Sequence, residues 1–219
     1  CRSFADLLTA ICESIKDTGL KRIRFMTSHP KDLSDELIDV MAKYPAVCKQ
    51  LHLPVQAGST AILNKMNRRY TKESYLALVE RIRAKMPDIV LSTDIIVGFP
   101  EETPEDFEET LDLVTKVQYD MAYTFIYSPR VGTPAAKNPN QVPEDEVKAH
   151  FGRLVELQNS IDRKKNEVMV GTTVEVLCEG FSRTNINRFT GRTEGNKIVN
   201  FTSDIKNCRE AAGKFVKVY

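Results

Sequence analysis

The first two-thirds of the chain alternates between helical and strand periodicity, and this alternation restricts the fold more than any other feature of the sequence. Apolar residues recur at helical spacing in residues 4–17, 31–44, 59–69, 72–86, 103–117 and about 144–168. Runs with strand character lie between these segments, at residues 22–28, 49–56, 88–99 and 121–128. Strands that alternate with helices in this way are parallel and are joined by helical crossovers. The sequence therefore predicts an α/β fold in which this part contributes four parallel strands.

The polarity of the predicted strands favours a barrel over a doubly wound sheet, although both remain compatible with the alternation. Polar Gln50, His52 and Gln56 alternate with leucine and valine in the second strand, and Ser92 and Asp94 recur on one face of the third. A parallel strand that is buried on both faces would be almost continuously apolar. One polar face therefore lines a site, unless His52 is simply a core histidine with a satisfied hydrogen bond. No GxGxxG sequence follows any strand, which argues against a dinucleotide-binding fold.

Functional residues of parallel α/β folds gather at the carboxyl ends of the strands, and four strand ends here are candidate site segments. They are Ser28–Pro30, Gln56–Ser59, Gly98–Glu102 and Tyr127–Pro129. Each segment also has a purely structural interpretation, since Gly98 could serve only a tight turn and Glu102 could serve only the dipole of the next helix. The functional interpretation depends on all four segments lying at the same rim.

From about residue 170 the pattern changes to short strands at residues 172–180, 188–193, 196–201 and 213–219. Glycines separate these strands, which predicts a small OB-like β domain of the kind that often binds single-stranded nucleic acid. Residues 168–219 carry eight Lys and Arg against five Asp and Glu, whereas the whole chain has a net charge of only +1. This basic excess favours a nucleic-acid partner, although a structural β cap is the alternative.

Five cysteines lie at positions 1, 12, 48, 178 and 208, and none is closer than eleven residues to the next. No CxxC or CxxxCxxC sequence occurs, so no metal site is predicted from local cysteine pairs. Dispersed cysteines are typical of reduced thiols in a cytoplasmic protein. No apolar run of about 18 residues or signal peptide is present, so no membrane association is expected. The chain opens on Cys-Arg, and we expect it to be part of something longer.

Four stretches together resemble the radical SAM methylthiotransferase family, and they are closest to its tRNA-modifying MiaB branch. The stretches are LHLPVQAGSTAILNKMNRRYTKESY, STDIIVGFPEETPEDFEETLDLV, FIYSPRVGTPAA and GRTEGNKIVNF. IIVGFPEET alone is common to many radical SAM enzymes, but its combination with the other three is specific. The resemblance implies the last part of a partial parallel (βα) barrel at residues 1–167. It also implies an RNA-binding TRAM domain at residues 168–219, clipped at its end.

The resemblance implies an enzyme that adds a methylthio group to C2 of N6-isopentenyladenosine beside the anticodon. Members of the family use S-adenosylmethionine and two [4Fe–4S] clusters, one of them held by a CxxxCxxC loop, and they need an electron donor for cluster reduction. That loop is missing here, so the cluster ligands would lie outside this chain and no metal ligand or catalytic residue is assigned. We expect the chain alone to be inactive, monomeric and bound to the anticodon arm of tRNA.

The resemblance also implies roles for individual residues. The S-adenosylmethionine contacts fall on Gln56, Ser59, Asp94, Ile96, Gly98, Glu102, Phe125, Tyr127 and Ser128. Weaker candidates for cofactor or substrate binding at the same rim are Ser28, His29, Arg68 and Arg69. The tRNA contacts fall on Arg183, Arg188, Arg192, Lys197 and Phe201. For Phe201, stacking on a base and filling the small domain's core both remain open.

Two other functions remain compatible with these residues. One is the sister enzyme of the family, which modifies a ribosomal protein, although the basic β domain suits RNA better. The other is a truncated, non-catalytic protein that binds tRNA, which would account directly for the missing cysteine loop.

Overall fold

The computed structural model describes residues 2–26, 29–202 and 208–219, with an α/β part followed by a small β module. Its helices are α1 (Phe4–Ser14), α2 (Asp35–Lys43), α3 (Thr60–Lys65), α4 (Lys72–Lys85), α5 (Pro104–Val117), α6 (Pro134–Lys137), α7 (Glu144–Glu167) and α8 (Cys208–Ala211), with a 3-10 turn at Pro30–Asp32. Its strands are β1 (Gln50–His52), β2 (Val90–Val97), β3 (Met121–Ile126), β4 (Val174–Phe181), β5 (Phe189–Arg192), β6 (Ile198–Phe201) and β7 (Phe215–Val218).

Strands β1, β2 and β3 form a parallel sheet in sequential order, which confirms the predicted class of the α/β part. Helices pack on one face of this sheet, in neighbouring pairs that run α1–α2–α4–α5–α7. Leu51, Leu53 and Val55 are fully buried against them, so the apolar face predicted for residues 49–56 is the core face. The opposite face of the sheet, which we call the open face, carries the polar residues.

The prediction of a strand at residues 22–28 is wrong for the residues that the structure describes. Only Ile23 pairs, in an isolated parallel bridge with Val47, and positions 27 and 28 lie outside the described residues. Ile23 bonds to both sides of the bridge, through its N–H to Ala46 and through its C=O from Cys48. The flanking Arg22 and Arg24 direct their guanidinium groups to the β module instead of continuing a ladder.

Strand β1 is also shorter than predicted because Pro54 has no backbone N–H and interrupts the ladder. Pairing with β2 resumes only at Gln56, which forms an isolated bridge with Ile95. Helix α5, by contrast, begins as its sequence predicts. The Thr103 hydroxyl accepts a hydrogen bond from the Asp106 N–H, and Pro104 occupies the first turn.

The β module is a four-stranded antiparallel sheet in the order β6-β5-β4-β7, as expected for a small all-β domain. Val176, Cys178, Phe189 and Phe201 are buried on one face of this sheet and form a core separate from that of the α/β part. The other face carries Arg192, which faces Leu177 and Ile198 on the neighbouring strands.

Candidate functional site

The open face of the α/β sheet presents polar and aromatic side chains in register. Asp94 on β2 pairs with Tyr123 on β3, and Ile96 pairs with Phe125 one step nearer the carboxyl ends of the strands. Tyr123 and Phe125 are about half exposed, at 49% and 51%. Large aromatic residues with this exposure on one face of a sheet mark a surface that can contact a ligand.

Three predicted cofactor residues, Asp94, Ile96 and Phe125, lie together on this open face. The apolar surface of Ile96 and Phe125 suits a planar adenine ring, and the partly exposed carboxylate of Asp94 suits hydroxyl or ammonium groups. This combination of apolar surface and carboxylate fits S-adenosylmethionine, which combines an adenosine with an aminocarboxylate. The predicted Ser128, which follows β3, is also exposed.

Gln56 holds the end of β1 against β2 through its backbone. Its N–H donates to the Asp94 C=O at 2.9 Å, and its C=O accepts from the Ile96 N–H at 2.8 Å. The residue has a positive φ of 71°, which favours glycine or asparagine, so the backbone turns sharply here. Gln56 therefore fixes the position of the Asp94–Ile96 backbone next to the predicted cofactor surface.

Ser59 and Gly98, also predicted to contact the cofactor, serve the local structure of the rim. The Ser59 hydroxyl caps α3 by accepting from the Ile62 N–H, and it also donates to the Asp106 carboxylate. Ser59 is only 1% exposed. Gly98 has a φ of +74°, and a Cβ there would come within 2.6 Å of Val147, so only glycine fits without displacement.

Glu102, another predicted cofactor residue, is a buried carboxyl beneath the rim. Its Oε2 accepts a hydrogen bond from the Gly98 N–H at 2.5 Å and lies 3.9 Å from the His150 Nδ1. The His150 ring stacks on Phe107 with a centroid distance of 4.0 Å. Burial raises the pKa of Glu102 to about 7 and lowers the pKa of His150. Glu102 thus supports the Gly98 turn from below.

Tyr127 packs its ring against Phe99 at 5.1 Å, and its N–H donates to the Val97 C=O. Its hydroxyl is buried and has no hydrogen-bond partner among the residues that the structure describes. An unsatisfied buried hydroxyl costs free energy and commonly marks a ligand or water site. This orphaned group fits a polar ligand at the rim.

The weaker candidates for cofactor or substrate binding differ in their contacts and in their exposure. His29 accepts from the Lys31 N–H through Nδ1, and its ring meets the Tyr70 ring edge-on at 5.4 Å. Arg68 is half-buried and Arg69 is exposed in the segment after α3. Ser28 lies outside the described residues.

A polar cluster around His52 occupies the middle of the open face, and of its members only Asp94 was among the predicted cofactor residues. The His52 Nδ1 lies 3.0 Å from the Ser92 hydroxyl, and its Nε2 lies 3.5 Å from the Asp94 carboxylate. The Tyr123 ring meets the imidazole edge-on at 6.0 Å. At 8% exposure His52 is buried and has polar partners, but it lies on the open face and not in the core. Only the alternation of polar residues in the sequence pointed to its position.

The predicted RNA contacts of the β module divide into two groups. Arg183 and Arg188 are exposed in the loop between β4 and β5, and no ion pair involves them within the described part of the chain. Arg188 also borders a groove of about 420 Å³ together with Lys217 and Tyr219. This groove combines cationic groups with an exposed aromatic ring, which are the features that bind single-stranded nucleic acid.

Arg192, Lys197 and Phe201 are engaged within the chain. The Arg192 Nε lies 3.0 Å from the Glu179 carboxylate, and the Lys197 Nζ lies 2.5 Å from the side-chain oxygen of Asn166. Phe201 is 9% exposed and stacks on Phe189 at 5.9 Å. For Phe201 the structure favours the alternative that the ring fills the core.

Among residues 2–26, 29–202 and 208–219, no group of three or more His, Cys, Asp or Glu side chains has the arrangement of a metal site. Over the same part of the chain, each helix is too short or too polar to cross a membrane.

Comparisons with known proteins match both parts of the chain. The family model "Radical SAM superfamily" matches residues 2–114, and the model "TRAM domain" matches residues 167–219. The fold resembles that of coproporphyrinogen III oxidase (HemN) from Escherichia coli, which is a radical SAM enzyme. The TM-score is 0.58 at 12% identity, and the match covers 90% of this chain and 55% of that protein.

Three curated relatives at higher identity carry the name tRNA-2-methylthio-N(6)-dimethylallyladenosine synthase. The relative from Acetivibrio thermocellus is 56% identical over 216 residues, which are 99% of this chain and 44% of that protein. A relative from Clostridium botulinum is 53% identical over 216 residues, 99% of this chain and 46% of that protein. One from Caldicellulosiruptor saccharolyticus is 56% identical over 200 residues, 91% of this chain and 41% of that protein. The chain thus spans less than half the length of these relatives.

Proposed function

This chain belongs to the radical SAM superfamily, and we propose that it is part of a tRNA methylthiotransferase that forms 2-methylthio-N6-dimethylallyladenosine. The observation that carries this proposal is the identity of 56% over 99% of the chain to a relative with that name. The residues matched include both the open face of the sheet and the β module, so the similarity is not confined to a common barrel element.

The proposed division is a partial barrel at residues 1–167 and a TRAM domain at residues 168–219. When bound, S-adenosylmethionine and a reduced [4Fe–4S] cluster would supply radical chemistry. CxxxCxxC does not occur in these 219 residues, so cluster ligands would come from outside them, and we expect this chain alone to be inactive. An electron donor, a second [4Fe–4S] cluster, a monomeric state and a cytoplasmic location belong to the same proposal.

The chain's own residues would bind and orient the cofactor at the rim. Ile96 and Phe125 would enclose the adenine, and the Asp94 carboxylate would accept hydrogen bonds from the sugar or the amino group. The backbone bonds of Gln56 hold these positions in place, and the buried Glu102 supports the Gly98 turn beside them. The β module would hold the anticodon arm of the tRNA through its exposed cations.

A chimaera tests the whole proposal. This chain would replace the corresponding 216 residues of the Acetivibrio thermocellus relative, and the protein would be expressed in cells that lack the modification. We expect mass spectrometry of tRNA nucleosides to detect the 2-methylthio derivative of N6-dimethylallyladenosine. A matched chimaera with Phe125→Ala, which removes one wall of the adenine surface, should lose most of the product while retaining its fold.

Other outcomes would contradict the proposal in distinguishable ways. A folded chimaera that methylthiolates a ribosomal protein instead of tRNA would indicate the sister enzyme. A folded chimaera that binds tRNA without forming product would indicate the non-catalytic alternative.

A further inference from the structure

The turn between β5 and β6 contacts the α/β part, and we call residues 192–197 the docking turn. The Arg22 Nη1 donates to the C=O of Arg192 at 2.7 Å, and the Arg24 Nη2 donates to the C=O of Thr193 at 2.7 Å. The backbone N–H of Lys49 donates to the Glu194 carboxylate at 3.2 Å. Three groups of the α/β part thus hold three successive residues of the turn.

Arg22 also contacts residues of the β module outside the docking turn. Its guanidinium lies 4.7 Å from the centroid of the Phe215 ring, and its Nη2 donates to the Glu175 C=O at 3.2 Å. The Arg22 side chain is only 10% exposed. Hydrogen bonds from a buried charged donor are stronger than neutral ones, and losing them leaves the charge unpaired. Arg22 is therefore suited to fix the orientation of the module.

The docking turn lies at the amino end of the open face. A Cβ on Gly195 would come within 2.5 Å of the Val90 side chain, so the turn is in direct contact with the first residue of β2. Val90 alternates with Ser92 and Asp94 and therefore points to the open face. A glycine at position 195 permits this close approach.

A cavity of about 850 Å³ lies between the docking turn and the open face. Gln50, His52 and Tyr123 line it on the sheet side, and Thr193 and Asn196 line it on the module side. The predicted cofactor residues Ile96 and Phe125 lie farther along the strands, toward their carboxyl ends. The docking turn thus lies at the end of the open face opposite the predicted cofactor rim, and the His52 cluster lies between the two.

The basic residues of the turn make contacts that an RNA ligand would have to break. Arg192 pairs with Glu179 and also reaches the Asn196 side chain, while Lys197 bonds to Asn166 at the end of α7. The loop 182–188 lies at the other end of β5, because the two loops flank this strand. A four-residue strand separates them by about 13 Å.

We propose that the docking turn closes the amino end of the open face, with Arg22 and Arg24 as the residues that position it. As a consequence, RNA contacts the β module through Arg183 and Arg188 and not through Arg192 and Lys197. The second half of this inference depends on the proposed function, whereas the first half does not.

Cys48 reports docking directly. It is 2% exposed, and its N–H donates to the Ile23 C=O between the two positioning arginines. Burial raises the pKa of its thiol, and the nearby Arg24 and Arg22 oppose this shift, so the access of a reagent to the thiol is the quantity that undocking increases. Cys12 and Cys178 are buried elsewhere in the α/β part and in the module, and they report loosening of those cores.

The first experiment measures labelling of each thiol by a maleimide, resolved by peptide mass spectrometry. The double variant Arg22→Ala/Arg24→Ala should label Cys48 at least about tenfold faster, while Cys12 and Cys178 change less than about twofold, because local opening exposes only the released site. Gly195→Ala provides an independent perturbation with the same expected pattern. Arg81→Ala, which removes an exposed pair with Asp35, is the matched control. Unchanged Cys48 labelling in the folded docking variants would overturn the first half.

The second experiment measures binding of a fluorescent anticodon-arm RNA as a function of salt. Arg183→Glu/Arg188→Glu should weaken binding at least about tenfold and flatten the salt dependence by about one to two units of slope, without affecting Cys48 labelling. The docking variants should retain RNA affinity within about threefold, since the loop 182–188 is intact. If Arg183→Glu/Arg188→Glu binds the RNA with the same affinity as the wild type, the second half is overturned. If the wild-type chain binds no RNA at any salt concentration, the second half fails together with the proposed RNA partner, and Cys48 labelling still decides the first half.

Discussion

Replacing Glu102 with glutamine is expected to stabilise the chain at neutral and alkaline pH. Glu102 is 5% exposed, and its Oε1 has no hydrogen-bond partner among the described residues. The nearest potential cation is His150, 3.9 Å away, and burial lowers the pKa of that imidazole. At pH 7.5 the histidine is therefore neutral, and an ionised Glu102 is a buried charge without a counter-ion.

The size and sign of the effect follow from the shift in pKa. Burial is the main cause that raises the pKa of Glu102 from 4.5 to about 7, the Gly98 N–H opposes this shift, and the charges of Asp106 and Glu146 add to it. Between pH 4.5 and about pH 7, Glu102 is protonated in the folded chain and ionised in the unfolded chain. The free energy of unfolding therefore falls as pH rises through this range. At about 1.4 kcal/mol per pKa unit, roughly 3 kcal/mol is lost by pH 7.5 and almost none below pH 4.5.

Glutamine keeps the oxygen that accepts from Gly98 and cannot ionise. The free energy of unfolding of Glu102→Gln should therefore exceed that of the wild type by about 2–3 kcal/mol at pH 8. At pH 4.5 the two values should agree within about 0.5 kcal/mol. Urea titrations followed by circular dichroism at 222 nm measure this difference, because most helices belong to the α/β part. The lowered pKa of His150 destabilises both proteins as pH falls below its ordinary value of 6.5, so its effect cancels in the comparison.

An exposed carboxylate provides the control for this prediction. Glu108 pairs with Arg153 at 2.6 Å, with both side chains about half exposed, so Glu108→Gln should give no gain at pH 8. The reasoning is refuted if Glu102→Gln lowers stability at pH 8, since that result would mean that the ionised carboxylate is paired. A gain that is the same at pH 4.5 and pH 8 would also contradict it, because titration would not be the cause.

Two further substitutions test the packing of the α/β part. Gly58→Ala places a Cβ within 2.3 Å of the Thr110 Cα, a backbone atom, so we expect a loss on the order of 3 kcal/mol in urea titrations. Gly152→Ala is its control, because nothing lies within 4 Å of that Cβ and alanine favours the helix; a comparable loss in both variants would exclude steric overlap as the cause. Tyr75→Phe removes a buried hydroxyl that donates to the Leu53 C=O at 2.7 Å and should cost about 2 kcal/mol, whereas a loss below about 0.5 kcal/mol would mean that the bond is replaced.

The sequence was sufficient to predict the α/β class, because periodicity reports which face of each element is buried. The alternation in residues 49–56 placed Leu51 and His52 on opposite faces, and they lie on opposite faces of the sheet. The strand predicted at residues 22–28 shows the limit of this approach. Arg22 and Arg24 alternate with apolar residues as in a half-exposed strand, but their partners lie about 170 positions later in the chain. No local pattern contains that information.

The same limit applies to the site. Charge counts identified a basic β module, but they do not distinguish Arg188, which is exposed, from Arg192, which pairs with Glu179. At the rim, the family resemblance implied cofactor contacts for Ser59 and Glu102, and in the structure their side chains are directed to a helix cap and a buried turn. Residues near a site are often necessary for its shape without contacting the ligand.

The position of the docking turn connects these observations. A partial barrel with an open amino end would admit water to the His52 cluster and to the cofactor surface beyond it. The docking turn occupies that end, and the same turn connects β5 to β6 within the β module. Under the proposal, an RNA held at loop 182–188 is attached to the barrel through strand β5 and two arginine contacts. In the proposed arrangement the small basic module therefore has two roles, one at each end of β5, and only the role at loop 182–188 involves RNA.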